Sequence, residues 1–176
     1  ERRLNAMEQF TTVIDGLRVH FVHRKAKQPG AFPLLVTHGW PGSFAEFTKI
    51  IGPLTDPVAH GGVAADAFDV VMPSIPGFAF SEAPRAAGYD PARIATVEAA
   101  LMARLGYTRY GAQGGDWGSI ISTQVAARDS AHVAGLHLNM CFGGAPAGSD
   151  PEAGLTDAEM PSPFAAMVSV PPPTTA

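Results

Sequence analysis

Residues 110–121 read YGAQGGDWGSII: an apolar run, two glycines, an aspartate and the start of a helix-prone stretch. Gly114-Gly115-Asp116-Trp117-Gly118 has the small–x–nucleophile–x–small form of a tight strand-to-helix elbow. Such a turn puts the central residue at positive φ and lifts its side chain off the sheet. Side chains two residues to either side would then collide, which is the reason for Gly114 and Gly118. The carboxylate of Asp116 would sit at the N-terminus of the next helix, where free N–H groups and the helix dipole favour an anion. An aspartate needs no base to make it attack. It forms an alkyl ester by displacement at a saturated carbon, which suits a strained cyclic ether or an alkyl halide. Attack on a carboxylic ester would instead give a reactive anhydride. Release of the alkyl ester requires water at the Asp116 carboxyl carbon, and hence an oxyanion hole beside it. One expected donor is the N–H of the next residue, Trp117. The second is expected from the loop after the third strand, HGWPGS at 38–43, with Trp40 as the donor. Gly39 and Gly42 flank Trp40-Pro41 and allow that loop a close approach.

Each of these residues also has a plainer reading. Asp116 could be a helix N-cap, a position at which aspartate is favoured anyway. His38, at a strand end with no acid beside it in sequence, reads as structural support for the loop, together with Gly39 and Pro41. The indoles of Trp40 and Trp117 read as pocket lining. His20 and His23 read as the solvated face of a hairpin strand, Glu98 as a solvated helix edge, and Phe78 and Phe80 as packing. His132 and His137 flank the last strand and take no role.

The elements that must position these residues are legible in outline. FTTVIDGLRVHFVHR (10–24) is two β-prone runs joined by Asp15-Gly16, a strong hairpin signal. FPLLVTHG (32–39) and AFDVVMP (67–73) read as buried strands, since their apolar runs are continuous. Ser43 and Glu46 form a capping box for a helix with Phe44, Phe47, Ile50, Ile51 and Leu54 at helical spacing, stopped by Asp56-Pro57. Asp90-Pro91 caps a helix with inner residues Ile94, Val97, Leu101 and Leu105, ended by Gly106. TRYGAQ (108–113) is a strand before the elbow. Trp117, Ile120, Ile121 and Val125 mark the helix after it, and VAGLHLN (133–139) is a sixth strand. A hairpin followed by alternating strands and helices predicts an α/β fold, a mostly parallel sheet with helices on both faces. Residues 1–145 are expected to form this core. Seven prolines fall in 146–176, which reads as a Pro-rich loop or tail.

The net charge of −4 and the absence of a long basic run argue against a nucleic-acid surface. Cys141 is the single cysteine, so no internal disulfide forms. No apolar stretch approaches the length of a membrane span. The expected location is cytoplasmic, or membrane-associated if an anchor segment precedes residue 1. Neither a cofactor nor a metal is expected for this chemistry.

THGWPGSFAEF, MPSIPGFAFSEAP and RYGAQGGDWGS together resemble the epoxide hydrolases of the α/β-hydrolase fold, in particular the microsomal and juvenile-hormone branch. The resemblance covers most of residues 1–140. It implies Asp116 as nucleophile, the Trp40 and Trp117 N–H groups as oxyanion donors, His38 as loop support, and a small apolar epoxide and water as substrates. In that fold an eight-stranded sheet carries a helical cap after the sixth strand. Two cap tyrosines protonate the opening epoxide oxygen, and a late histidine with an acidic partner activates the water. Six strands are legible here. None of the histidines at 20, 23, 38, 60, 132 and 137 occupies the late position, and Tyr89, Tyr107 and Tyr110 precede the cap. The 176-residue chain by itself is therefore expected to give no multiple turnover, and self-association through an uncovered sixth strand is a further expectation. A haloalkane dehalogenase is the alternative within the fold, with Asn commonly in place of Trp40. A truncated or non-catalytic binding fragment is the alternative outside it.

Overall fold

The computed structural model describes residues 2–141, so the expectation for 146–176 lies outside the described residues. After a short helix α1 (Arg2–Asn5), strands β1 (Gln9–Ile14) and β2 (Leu17–Arg24) form the antiparallel hairpin. Its turn has Asp15 and Gly16 at φ 52° and 74°, the left-handed pair that a two-residue hairpin loop requires. Strands β3 (Phe32–Thr37), β4 (Phe68–Pro73), β5 (Tyr110–Gly114) and β6 (Val133–Leu138) complete a six-stranded sheet ordered β1-β2-β4-β3-β5-β6. β2 pairs antiparallel with β4, and β4, β3, β5 and β6 run parallel.

This order fixes where a site can form. From β3 the chain crosses to β4 on one side and then to β5 on the other. The crevice at the carboxyl ends of β3 and β5 is thus the switch point at which open α/β sheets bind ligands. The pairing of Thr37 with Gly114 brings those two ends level.

Helices α3 (Pro91–Arg104) and α4 (Trp117–Arg128) cover one face, over Val19, Phe21, Leu35 and Val71. A 3₁₀ segment (Phe44–Lys49) and α2 (Ile51–Thr55) lie on the other, over Val22, Val36, Val70 and Met72. The strand residues alternate between these two apolar clusters, so the central strands are buried on both sides. α3 starts as expected: Asp90 accepts the Arg93 N–H at 2.9 Å, a cap of about 1 kcal/mol. Ile94, Val97, Leu101 and Met102 are buried, each contributing about 1.5–3 kcal/mol. Among the described residues β6 pairs with β5 only, and most of its residues are exposed, including Leu136.

Four expectations need correction. His20 is buried, because β2 lies between β1 and β4 instead of at a surface; its ring meets Ser74 Oγ at 2.8 Å and Gln9 Oε1 at 3.0 Å. His23 is half-buried against the Tyr107 hydroxyl at 2.9 Å. Glu98 is 1% exposed, at the centre of the inner face of α3 and not at its edge. Its spacing from Ile94 and Leu101, four and three residues, places all three on one stripe. Ile50 is exposed, because the 3₁₀ segment gives way to α2 at that residue and the apolar period resets. The capping box itself forms, with Ser43 and Glu46 bonding reciprocally.

Candidate active site

The end of β5 turns into α4 through Gly115 and Asp116, and Asp116 takes φ 55°, ψ −128°. An L-residue rarely adopts this conformation, so the packing around it must hold it there. The Asp116 carbonyl accepts both the N–H and the hydroxyl of Ser119, at 3.0 and 2.8 Å. Gly114 and Gly118 are sterically required: a Cβ on Gly114 would lie 2.0 Å from the Gly118 carbonyl oxygen, and one on Gly118 would lie 2.1 Å from that of Thr37. Gly115 differs, since a Cβ there would meet Asn139 at 3.4 Å, an ordinary contact. Gly118→Ala is accordingly expected to lower stability by at least about 3 kcal/mol, because both colliding groups are backbone. Gly115→Ala should stay within about 1 kcal/mol, and denaturant midpoints of the two variants measure the difference.

The Asp116 side chain occupies the helix N-terminus without making a capping hydrogen bond. It faces the HGWPGS loop instead. The Trp40 N–H donates to Asp116 Oδ1 at 2.7 Å. Gly39 makes this approach possible, because a Cβ there would lie 2.7 Å from both Cβ and Oδ1 of Asp116. The Trp117 and Trp40 N–H groups hold the Asp116 carboxyl below the usual carboxylate range, so it is ionised at neutral pH.

His38 is buried behind this loop, and both of its ring nitrogens are taken. Nε2 accepts the Ile75 N–H at 3.1 Å, which leaves the proton on Nδ1, where it is donated to the Gly39 carbonyl at 2.8 Å. Burial lowers its pKa, so the ring is neutral and held in one tautomer. It braces the loop, which continues into Pro41 through a cis Trp40–Pro41 bond. The three tyrosines are each bonded to an aspartate elsewhere: Tyr89 to Asp15, Tyr107 to Asp69 and Tyr110 to Asp129.

Trp40 and Trp117 line an apolar hollow of about 460 Å³ together with Ile75, Phe78, Ile94 and Ile121. Asp116 itself lines a smaller, more polar hollow of about 270 Å³ with Glu46, Gln113 and Asn139 among its walls. A larger hollow, about 570 Å³, lies on the α2 side of the sheet over Leu34, Val36 and His137 and shares Glu46, Phe47, Gln113 and Asn139 with the one that Asp116 lines. Among the described residues no group of three or more His, Cys, Asp or Glu is placed to hold a metal ion. No described helix is long and apolar enough to cross a membrane.

An ionised carboxylate on a strained elbow, met by a backbone donor from the loop after the third strand, is the arrangement of one large hydrolase fold. The sequence profile described as "alpha/beta hydrolase fold" matches residues 33–165, most of the chain. The chain belongs to the α/β-hydrolase fold family. Within this family its first 47 residues match the profile described as "Epoxide hydrolase N terminus". The chain is 48% identical over 143 residues to epoxide hydrolase 1 of Oryctolagus cuniculus, covering 79% of this chain and 31% of that protein. It is 43% identical over 145 residues to juvenile hormone epoxide hydrolase 1 of Ctenocephalides felis, covering 81% and 31%. The crystal structure of the Bombyx mori juvenile hormone epoxide hydrolase superposes with a TM-score of 0.72 at 40% identity, over 79% of this chain and 37% of that one. The chain spans about a third of the length of the curated relatives it matches.

Of the hydrolase site residues expected from sequence, Asp116, Trp40, Trp117, Gly39 and His38 come together at the ends of β3 and β5. The sequence reading missed what lies beneath them, Glu98 hydrogen-bonded to Thr37, although the spacing of Glu98 from Ile94 and Leu101 was a usable signal.

Proposed function

We propose that this protein opens epoxides to vicinal diols through an ester on Asp116. The observation that carries the reading is the Trp40 N–H donating to Asp116 Oδ1 at 2.7 Å, beside the Trp117 N–H, with both tryptophans lining an apolar hollow. Asp116 Oδ2 attacks a ring carbon. The C–O bond of the three-membered ring breaks, its electron pair stays on oxygen, and the alkoxide takes a proton. The ester carbonyl oxygen is then Oδ1, already facing the donors that stabilise the oxyanion when water attacks the carboxyl carbon. Aspartate, diol and the proton lost by water complete the cycle. His38 does not serve as the base, because its Nε2 lone pair is engaged by the Ile75 N–H. Proton donor and water-activating base come from outside residues 2–141 in this reading, which takes epoxides as the substrate class from the names of the relatives and their apolar character from the hollow beside Trp40 and Trp117.

The 176-residue protein, incubated with a terminal aryl epoxide, is expected to gain the full mass of the epoxide on the peptide that contains Asp116. A terminal alkyl halide should leave no adduct and release no halide. Halide release with alkyl transfer to Asp116, and no epoxide adduct, would make the protein a dehalogenase and overturn the proposal.

A further inference from the structure

Most buried polar side chains of the described residues are fully engaged. Buried His20 and Ser74 bond each other and Gln9, buried Asp69 is met by Lys25 and Tyr107, and the buried Tyr110 hydroxyl donates to Asp129. Glu98 is different. Thr37 Oγ1 donates to its Oε2 at 2.8 Å, but Oε1 is buried without a protein partner. The carboxyl group thus lies 1% exposed in an apolar layer, and no cation contributes to its environment.

Its location connects it to the site. Thr37 is the last residue of β3 and is followed directly by His38, Gly39 and Trp40. The backbone of Thr37 is wedged against Gly118, the second residue of α4, and its side chain is tied to Glu98 of α3. The strand end that launches the Trp40 loop is therefore gripped from both helices. We infer that Glu98 is a positioning residue for the Trp40 donor: by holding Thr37 it sets where the 38–40 loop meets Asp116. This rests on the role proposed for Trp40.

The geometry of the grip changes with the proton. Ionised, Oε1 would carry negative charge with no donor facing it, so burial pushes the Glu98 carboxyl up to about 8. The other titratable groups about it are Tyr110 on β5, Asp129 behind that hydroxyl, and His38 beyond Thr37. Burial and the neighbouring Asp129 raise Tyr110 beyond this pH range, the Tyr110 hydroxyl and His132 hold Asp129 low, and burial holds His38 low. Glu98 is thus the group of this set that titrates near pH 8. Ionisation would strengthen the Thr37 hydrogen bond to Oε2 while leaving Oε1 charged with no donor, so the carboxylate and Thr37 would settle into a new position and the Trp40 N–H would move relative to Asp116.

The test is NMR of the ¹⁵N,¹³C-labelled 176-residue protein between pH 6 and 9.5. The Trp40 amide proton is expected to move with a midpoint near 8, and the Glu98 side-chain carboxyl carbon should titrate with the same midpoint. In Glu98→Gln, which copies the neutral acid, the Trp40 amide should stay at its low-pH position throughout. A flat Trp40 amide in the unsubstituted protein, an identical movement in Glu98→Gln, or a Glu98 carbon titrating in the ordinary carboxylate range would each overturn the inference. The carbon measurement needs no substitution and stands even if the variant fails to fold. These signals do not depend on catalysis, so absence of an epoxide adduct would sink the proposed function without altering them.

Discussion

Asp116→Asn is expected to leave the fold intact and to abolish covalent labelling by an epoxide, a loss on the order of 10⁴-fold or more, the scale on which removal of a covalent nucleophile acts. Asparagine keeps a side-chain oxygen to accept the Trp40 N–H at the position now held by Oδ1. The variant therefore removes the negative charge and the attacking oxygen with little change in packing. Asp116→Gly should lose labelling equally, but with the opposite signature in stability. Asp116 sits at φ 55°, ψ −128°, where glycine is at ease and an L-residue is strained; the bond from Trp40 that glycine forfeits is exposed, so water can take the place of the carboxylate there. Relief of that strain should raise the melting midpoint by about 2–6 °C. Intact-mass analysis after epoxide treatment and thermal melts of the three proteins provide the check. An adduct that survives in Asp116→Asn would place the nucleophile elsewhere. A glycine variant that melts lower than the parent would show that the elbow is not strained.

The elbow was legible because its constraints are local. Asp15-Gly16, Ser43 with Glu46, Asp90-Pro91 and the glycines at 114 and 118 each encode a backbone conformation or cap within a few residues, and each appears where the pattern places it. Trp40 meeting Asp116 is a contact between residues 76 apart, yet it too could be anticipated, because the element order brings the ends of the third and fifth strands side by side. His20 could not be read in this way. Its burial depends on β4 pairing with β2 on the side away from β1, and nothing in the hairpin's own residues announces that neighbour. Glu98 lay between these cases. Its i+4 and i−3 relations to Ile94 and Leu101 put it on the buried stripe, but a charged residue type suggested the edge. What reconciles the two is a partner 61 residues away, the Thr37 hydroxyl, together with loss of the charge itself.

That loss of charge makes the stability of the folded chain depend on pH through Glu98. Unfolded, its carboxyl has the ordinary value of 4.5; folded, burial moves it to about 8, against the opposing hydrogen bond from Thr37. The folded state thus holds the proton more tightly than the unfolded one. Stability from this group is full below about pH 4.5, falls as pH rises through the interval, and is lost above about 8. A tenfold difference in proton affinity between the two states corresponds to about 1.4 kcal/mol, so the whole interval amounts to at most about 5 kcal/mol. Glu98→Gln binds no proton and removes this slope. Urea denaturation should therefore find the two proteins within about 1 kcal/mol of each other at pH 5, with the glutamine variant increasingly the more stable toward pH 9. His20, His23 and His38, whose ring pKa values burial holds low, titrate in both proteins and cancel in the comparison. Parallel pH dependence of the two proteins would mean that Glu98 is ionised in the folded state, so that the uncompensated oxygen beneath the Trp40 loop carries charge after all.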